Sequence, residues 1–216
     1  MDGIDPDIVV LGGNDYDFHR LADLGPILED FLWAHADIRV ETTTDRDVLR
    51  PDAIREYDVL IDYTTSGALS DRQWTGLSEF VRSGNGYVGL HGASAVSWDA
   101  DSPAGELETL VGGAFEGHDE YTRLTVEITD ESHPVTDDVG DFRIADEPYR
   151  CRHGNDVRVL ARAHHDGPGT IPVAWTTRYG NGRVFYYANG HDERAFAHPA
   201  FQRLVLNGVR WVYRGE

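Results

Sequence analysis

The chain has 216 residues, 40% of them hydrophobic, and carries a formal charge of −19 from 38 acidic residues against 19 basic ones, every one of which is arginine. That length supports one domain spanning residues 1–216 with a substantial core, while the acidic balance repels phosphate backbones and excludes nucleic acid as a partner. No apolar run reaches the roughly 18 residues of a membrane span, and a single cysteine, Cys151, excludes an internal disulfide or a multi-cysteine metal site.

An N-terminus without a basic start or an apolar stretch predicts a cytoplasmic protein. An even coating of carboxylates strains a fold by self-repulsion at low ionic strength and is screened in concentrated salt, which predicts a halophilic, salt-rich setting.

Ile8 to Leu11 is a short β-branched run ending at Gly12 and Gly13, as expected of a buried parallel strand that feeds a loop at its carboxyl end. That loop carries Asn14 and His19. Pro26 is expected to open a helix whose Ile27, Leu28, Phe31 and Leu32 share one face. Ile38 and Val40 mark a second strand and Asp58 to Tyr63 a third, with Thr64, Thr65 and Ser66 at its end. Ser70 is placed to cap a helix that buries Trp74, Leu77, Phe80 and Val81 and stops near Gly84. Tyr87 to Leu90 is a fourth strand, running directly into His91, Gly92, Ala93 and Ser94.

Repeated strand-helix alternation implies right-handed crossovers, a parallel sheet and ligand binding beyond the carboxyl ends of its strands. Beyond Gly113 the texture changes. Leu124, Val126 and Ile128 alternate with polar residues, Val157 to Ala161 and Val173 to Trp175 are short strands, and Tyr179 to Arg183 is a glycine-rich turn. These predict a mainly antiparallel half in which Val173 to Thr177 pairs with Val184 to Tyr187 as a hairpin. Pro199 should open the terminal helix.

Val88 to Ala93 sets a histidine between glycines at a tight strand-to-helix turn. An elbow of this kind presents a side chain to the cleft, and an imidazole there suits a general base, a proton donor or a metal ligand. As a rim residue, His91 should contribute little to stability. His133 and His198, each before a proline, are expected to be turn residues. His164 and His165 are expected on a solvated loop, and Trp98, Tyr149 and Trp175 near the rim.

Gly89 to Ala93, Gly112 to His118, His133-Pro134, Asp146 to Tyr149, Tyr179 to Tyr186 and Gly190-His191 together resemble the ThuA-like (trehalose-utilisation) family. The resemblance runs from His19 to Trp211. It implies a flavodoxin-like three-layer α/β sandwich of class I glutamine amidotransferase-like type, with a mostly parallel central sheet and a β-rich, antiparallel C-terminal half. It also implies a link to trehalose and related disaccharides. Carried over, the family pattern picks out His19, His91, His118, Glu147 and His191, which are expected to converge in one cleft, with His91, His118, Glu147 and His191 as catalytic residues. Asn14, His19, Ser94 and Tyr149 are the substrate-binding candidates. His91, His118 and His191 are candidate ligands of a divalent metal such as zinc.

His191 and Glu193 resemble remnants of an amidotransferase triad, but the nucleophile is missing, so amidotransferase chemistry is not expected. The expected activity is acid-base chemistry, with or without a metal, on a disaccharide or its keto derivative. The alternative is a non-catalytic sugar-binding or regulatory domain. The expected partner is a small sugar, with assembly into a homo-oligomer left open.

Overall fold

The computed structural model describes residues 6–13, 16–34, 39–65, 68–95, 104–165 and 169–214; Asn14, Ile38, Ser66 and Trp98, named above, lie outside them. In chain order the elements are β1 (Asp7–Gly13), α1 (Leu21–Trp33), β2 (Arg39–Thr43), α2 (Pro51–Ile54), β3 (Val59–Thr64), α3 (Asp71–Ser83), β4 (Gly86–Leu90), α4 (Ala104–Val111), β5 (Gly113–His118), β6 (Thr122–Ile128), β7 (Phe142–Asp146), β8 (Tyr149–His153), β9 (Arg158–His164), β10 (Thr170–Tyr179), β11 (Gly182–Tyr187), α5 (Glu193–Phe196) and α6 (Pro199–Arg214).

Nine strands form one sheet in the order β2-β1-β3-β4-β11-β10-β9-β6-β7. The first five run parallel and the remaining ladders are antiparallel, so a flavodoxin-like half continues into an antiparallel wing. The pivot is β11, which pairs parallel with β4 through Val184–Tyr87 to Tyr187–Leu90 and antiparallel with β10 as the expected hairpin. β5 and β8 stand apart as a two-stranded ribbon.

Alternation along β11 decides what covers each face. Phe185 and Tyr187 point toward α6, where a Cβ on Gly208 would lie 2.6 Å from Phe185 Cε1 and Tyr187 meets Phe201. Tyr186 points the other way, onto Trp175, whose indole N–H donates to Val111 O of α4 at 2.9 Å. Trp175 is therefore a fully buried anchor and not a rim residue. A buried indole needs a partner for its N–H, and α4 supplies one.

Local signals set the helix ends. Ser70 and Gln73 form a reciprocal capping box at the start of α3, which ends at Gly84 with φ of 124°. Pro26 does not open α1; the helix begins at Leu21 and carries the proline inside. His133 and His198 cap turns as expected, each accepting at Nδ1 the backbone N–H two residues on. His164 ends β9 and pairs with Glu127. Among the described residues no helix is long and apolar enough to cross a membrane.

Candidate functional site

β1, β3, β4 and β11 are sheet neighbours running in one direction, so the segments leaving their carboxyl ends meet at one edge. These segments deliver His19, Thr65, His91 and His191. The turn between β7 and β8 adds Glu147.

The elbow is strained as its sequence implies. His91 has φ of 45° and His19 φ of 57°, so two of the three non-glycine residues with positive φ among the described residues are histidines of this edge. Gly92 is required by close approach: a Cβ there would overlap Thr65 Oγ1 and lie 2.9 Å from Thr64 O. His91 is not a lightly buried rim residue, because it is 0% exposed and its ring stacks on that of Tyr149 at 4.1 Å.

Three imidazoles turn inward. His91 Nε2 lies 3.0 Å from His19 Nε2, which lies 2.8 Å from His191 Nδ1. Glu147 Oε2 is 3.2 Å from His191 Nδ1 and 3.5 Å from His91 Nε2. One ligand atom from each of these four residues falls within 4.8 Å of the others.

The outward nitrogens decide the protonation. His91 Nδ1 faces Ala188 O at 2.8 Å; a carbonyl only accepts, so Nδ1 carries the proton and Nε2 presents a lone pair to the centre. His19 Nδ1 is tied to Thr65 Oγ1 at 3.1 Å. A proton on His19 Nε2 can satisfy one neighbouring ring nitrogen and not both, and Glu147 adds a further acceptor. His191 supplies a hydrogen bond to Glu147, and the outward nitrogens of His91 and His19 are fixed by carbonyl and hydroxyl as in metal sites. Imidazole nitrogens sharing a tetrahedral zinc stand about 3.3 Å apart, so the donor set fits a divalent ion.

Electrostatics agree. Burial, then the charges of His91 and His191, lower the His19 pKa to about 2. For Glu147 burial favours protonation, but its hydrogen bond with His191 and the neighbouring His91 outweigh it and hold the carboxylate far below its usual range. Burial opposes charging of His191, and the hydrogen bond and charge of Glu147 overcome it and raise its pKa.

Not every expected residue joins this centre. His118 lies outside the four-residue cluster, 3.8 Å from Glu147 Oε1. Its Nδ1 is turned to Asp119 O at 2.8 Å, so it stands as a half-exposed neighbour and not among the ligand atoms. Ser94 does not face the cleft: its buried hydroxyl bonds Tyr186 OH at 2.7 Å beneath the elbow. Tyr149 is buried as the ring beneath His91.

The carboxylate beside His191 is Glu147 and not Glu193, which occupies the first turn of α5. Cys151 lies away from the centre, against Ser94, and burial raises its thiol pKa to about 11, which disfavours thiolate chemistry.

Asp146 belongs to the Asp146 to Tyr149 motif but not to the candidate site residues, although alternation with Ile144 along β7 marks it as an inward-facing acid. Fully buried, it accepts from Gly190 N at 2.7 Å, Glu147 N at 2.8 Å and His191 N at 3.3 Å. One carboxylate thereby fixes the segments that carry two of the four clustered residues.

A cleft of about 450 Å³ opens beside His19 and His191. Phe18 on its wall is 47% exposed and stacks on Tyr16 at 5.0 Å. Both guanidiniums of the wall are neutralised, Arg20 by Asp23 at 2.7 Å and Arg194 by Asp192 at 2.6 Å.

The family model for ThuA, described as trehalose utilisation, matches residues 7–212. No curated protein matches the chain. Among solved structures, a ThuA-like protein from Parabacteroides merdae superposes with a TM-score of 0.82 at 20% identity, covering 98% of this chain and 91% of that one. Another from Bacteroides uniformis gives 0.79 at 22%, covering 97% and 93%. A β-galactosidase from Rahnella sp. R3 gives 0.67 at 18%; 93% of this chain is covered, but only 30% of that enzyme. At such identities the likeness concerns the fold alone.

Proposed function

The chain belongs to the ThuA family, and from that premise we propose that it is a cytoplasmic enzyme acting on a trehalose-like disaccharide or its keto derivative by metal-assisted acid-base chemistry. The observation that carries this reading is the inward convergence of His19, His91 and His191 with Glu147, their ligand atoms within 4.8 Å of one another. These four residues would hold the ion, which would supply Lewis-acid polarisation of a sugar oxygen or carbonyl. Zinc suits the donor set.

The chain's own groups supply the rest. His118, its side chain 38% exposed and 3.8 Å from Glu147 Oε1, would exchange protons between substrate and solvent. Phe18 offers an apolar face to a pyranose ring. Because the arginines of the cleft wall are already paired with carboxylates, an uncharged sugar suits this cleft better than a sugar phosphate.

The test is metal analysis of purified protein together with turnover on a panel of disaccharides and keto-disaccharides. About one equivalent of divalent metal is expected in the wild type. His19→Ala and His191→Ala should lose it, whereas His118→Ala should keep the metal and lose turnover. Full occupancy in both His19→Ala and His191→Ala would overturn the metal assignment. A metal-loaded protein without turnover on any member of the panel would favour a sugar-binding module.

A further inference from the structure

The opposite edge of the sheet carries a feature that the sugar site does not use. The hairpin between β10 and β11 lies at the amino end of β11, away from the His cluster at its carboxyl end. Its register sets Arg178 directly across from Arg183, and on the next strand Arg158 lies across from Thr176. Strand alternation puts all three arginines on one face, the face that packs against α6. Like charges placed directly opposite across a ladder are destabilising. In a chain with twice as many acidic as basic residues, such an arrangement needs a reason.

The three guanidiniums line a cavity of about 520 Å³ together with His133, Trp211 and a single carboxylate, Asp156. Arg183 is held in place: Nη1 donates to Trp211 O at 3.3 Å, and the guanidinium sits 4.9 Å from the Trp211 ring centre. Arg158 is anchored by Asp130 at 2.5 Å. Arg178 makes no ion pair among the described residues.

The surroundings respond to the positive charge. His133 has its pKa lowered to about 4 by burial and then by Arg158, with Arg183 adding to the effect and Asp130 opposing it. Arg183 is itself lowered, by burial and then by Arg178. The cleft beside His19 has the reverse character, with more acids than bases on its wall.

We propose that this cavity is an anion site that binds a phosphate group, held by Arg178 and Arg183 with Arg158 at its side. Planar guanidinium forks match tetrahedral oxyanions with paired hydrogen bonds, and a pre-oriented fork loses little entropy on binding. The ligand also removes the repulsion built into the hairpin. The Trp211 indole is already engaged, by Arg183 over its ring and by His133 in a tilted contact at 5.0 Å, so the site is built to recognise the phosphate group.

Calorimetric titration and thermal unfolding with potassium phosphate, at ionic strength held constant with KCl, test the site. Wild-type protein should bind phosphate saturably, and its Tm should rise by about 3–6 °C at ten times Kd. In Arg178→Glu the affinity should fall at least about tenfold and the Tm rise should disappear. The phosphate-free Tm should hold or increase, because a carboxylate then faces Arg183, and metal occupancy of the His cluster should not change. Arg178→Gln provides a second variant that removes the charge without reversing it.

A parallel titration with glucose 6-phosphate separates the sources of the group: equal affinity identifies free phosphate, and tighter binding identifies a phosphate monoester. Absence of saturable binding in both arms, or binding unchanged in both Arg178 variants, would overturn the proposal. Neither result would touch the sugar-site reading.

Discussion

Replacing His91 tests the elbow as backbone and as side chain, because Ala and Gly remove the same imidazole but differ in how they tolerate φ of 45°. The measurement belongs in chelator, so that metal binding does not enter. The imidazole is wholly buried, and its loss leaves Ala188 O without its donor at 2.8 Å and opens a cavity against Tyr149. An orphaned buried acceptor costs about 1–3 kcal/mol, and the cavity adds to it. Together these cost about 2–4 kcal/mol in His91→Ala. For a chain of this size that lowers Tm by roughly 5–15 °C.

His91→Gly should be the more stable of the two variants, against the usual order. A left-handed conformation costs a non-glycine residue about 1–2 kcal/mol, and the extra chain entropy of glycine costs about 0.5–1 kcal/mol, a net advantage of about 0.5–1 kcal/mol. Urea midpoints of the two variants, compared at equal m-value, read the difference. If the Ala variant equals or exceeds the Gly variant, the elbow is not strained at this residue. If neither variant loses stability, the buried imidazole is not held as described.

Gly92→Ala should destabilise the chain by about 2 kcal/mol or more, because its Cβ would overlap Thr65 Oγ1; a wild-type Tm would contradict that contact. In metal-free protein the urea midpoint should fall between pH 7.5 and pH 5. His133 and His19 have folded pKa values near 4 and 2, below the unfolded value of about 6.5. The unfolded chain therefore binds more protons, and stability is lost as pH drops below about 6.5. His191, raised by Glu147, acts in the opposite sense, so a flat or rising midpoint would mean that the two lowered groups do not dominate. The unfolding midpoint should also rise from low to molar KCl, since a charge of −19 is screened there; indifference to salt would remove the halophilic reading.

The parallel half of the fold was legible because its signals are local. A β-branched run ending in glycine, a capping box at Ser70 and Gln73, and a turn at Tyr179 to Arg183 each specify their element within a few residues. Insertion of β11 between β4 and β10 was not legible. That placement joins Tyr87 to Val184 across almost a hundred residues, and no periodicity encodes a pairing over such a distance. Pro26 misled for a related reason. Its preference for a first turn is intrinsic, but the buried contacts of Leu21 and Leu24 draw α1 one turn earlier and carry the proline inside.

The same division runs through the site. His91 could be selected because the elbow is written in its neighbouring glycines, whereas the roles of His19 and His118 come out differently from the family pattern. β5 shifts register between Phe115 and Gly117, and His118, just beyond that irregularity, spends Nδ1 on Asp119 O. His19 has its left-handed backbone and Thr65 to aim Nε2 inward. Glu193, two residues from His191, looked like its carboxylate partner, yet the N-cap by Asp192 starts α5 there and commits that segment to a helix. The partner is Glu147, 44 positions away, and buried Asp146 beside it determines the pairing by accepting the backbone N–H groups of both Glu147 and His191. An acid on the inward side of a strand cannot be solvated, so it must be satisfied by backbone; here the backbone that satisfies it belongs to the two segments that the site has to bring together.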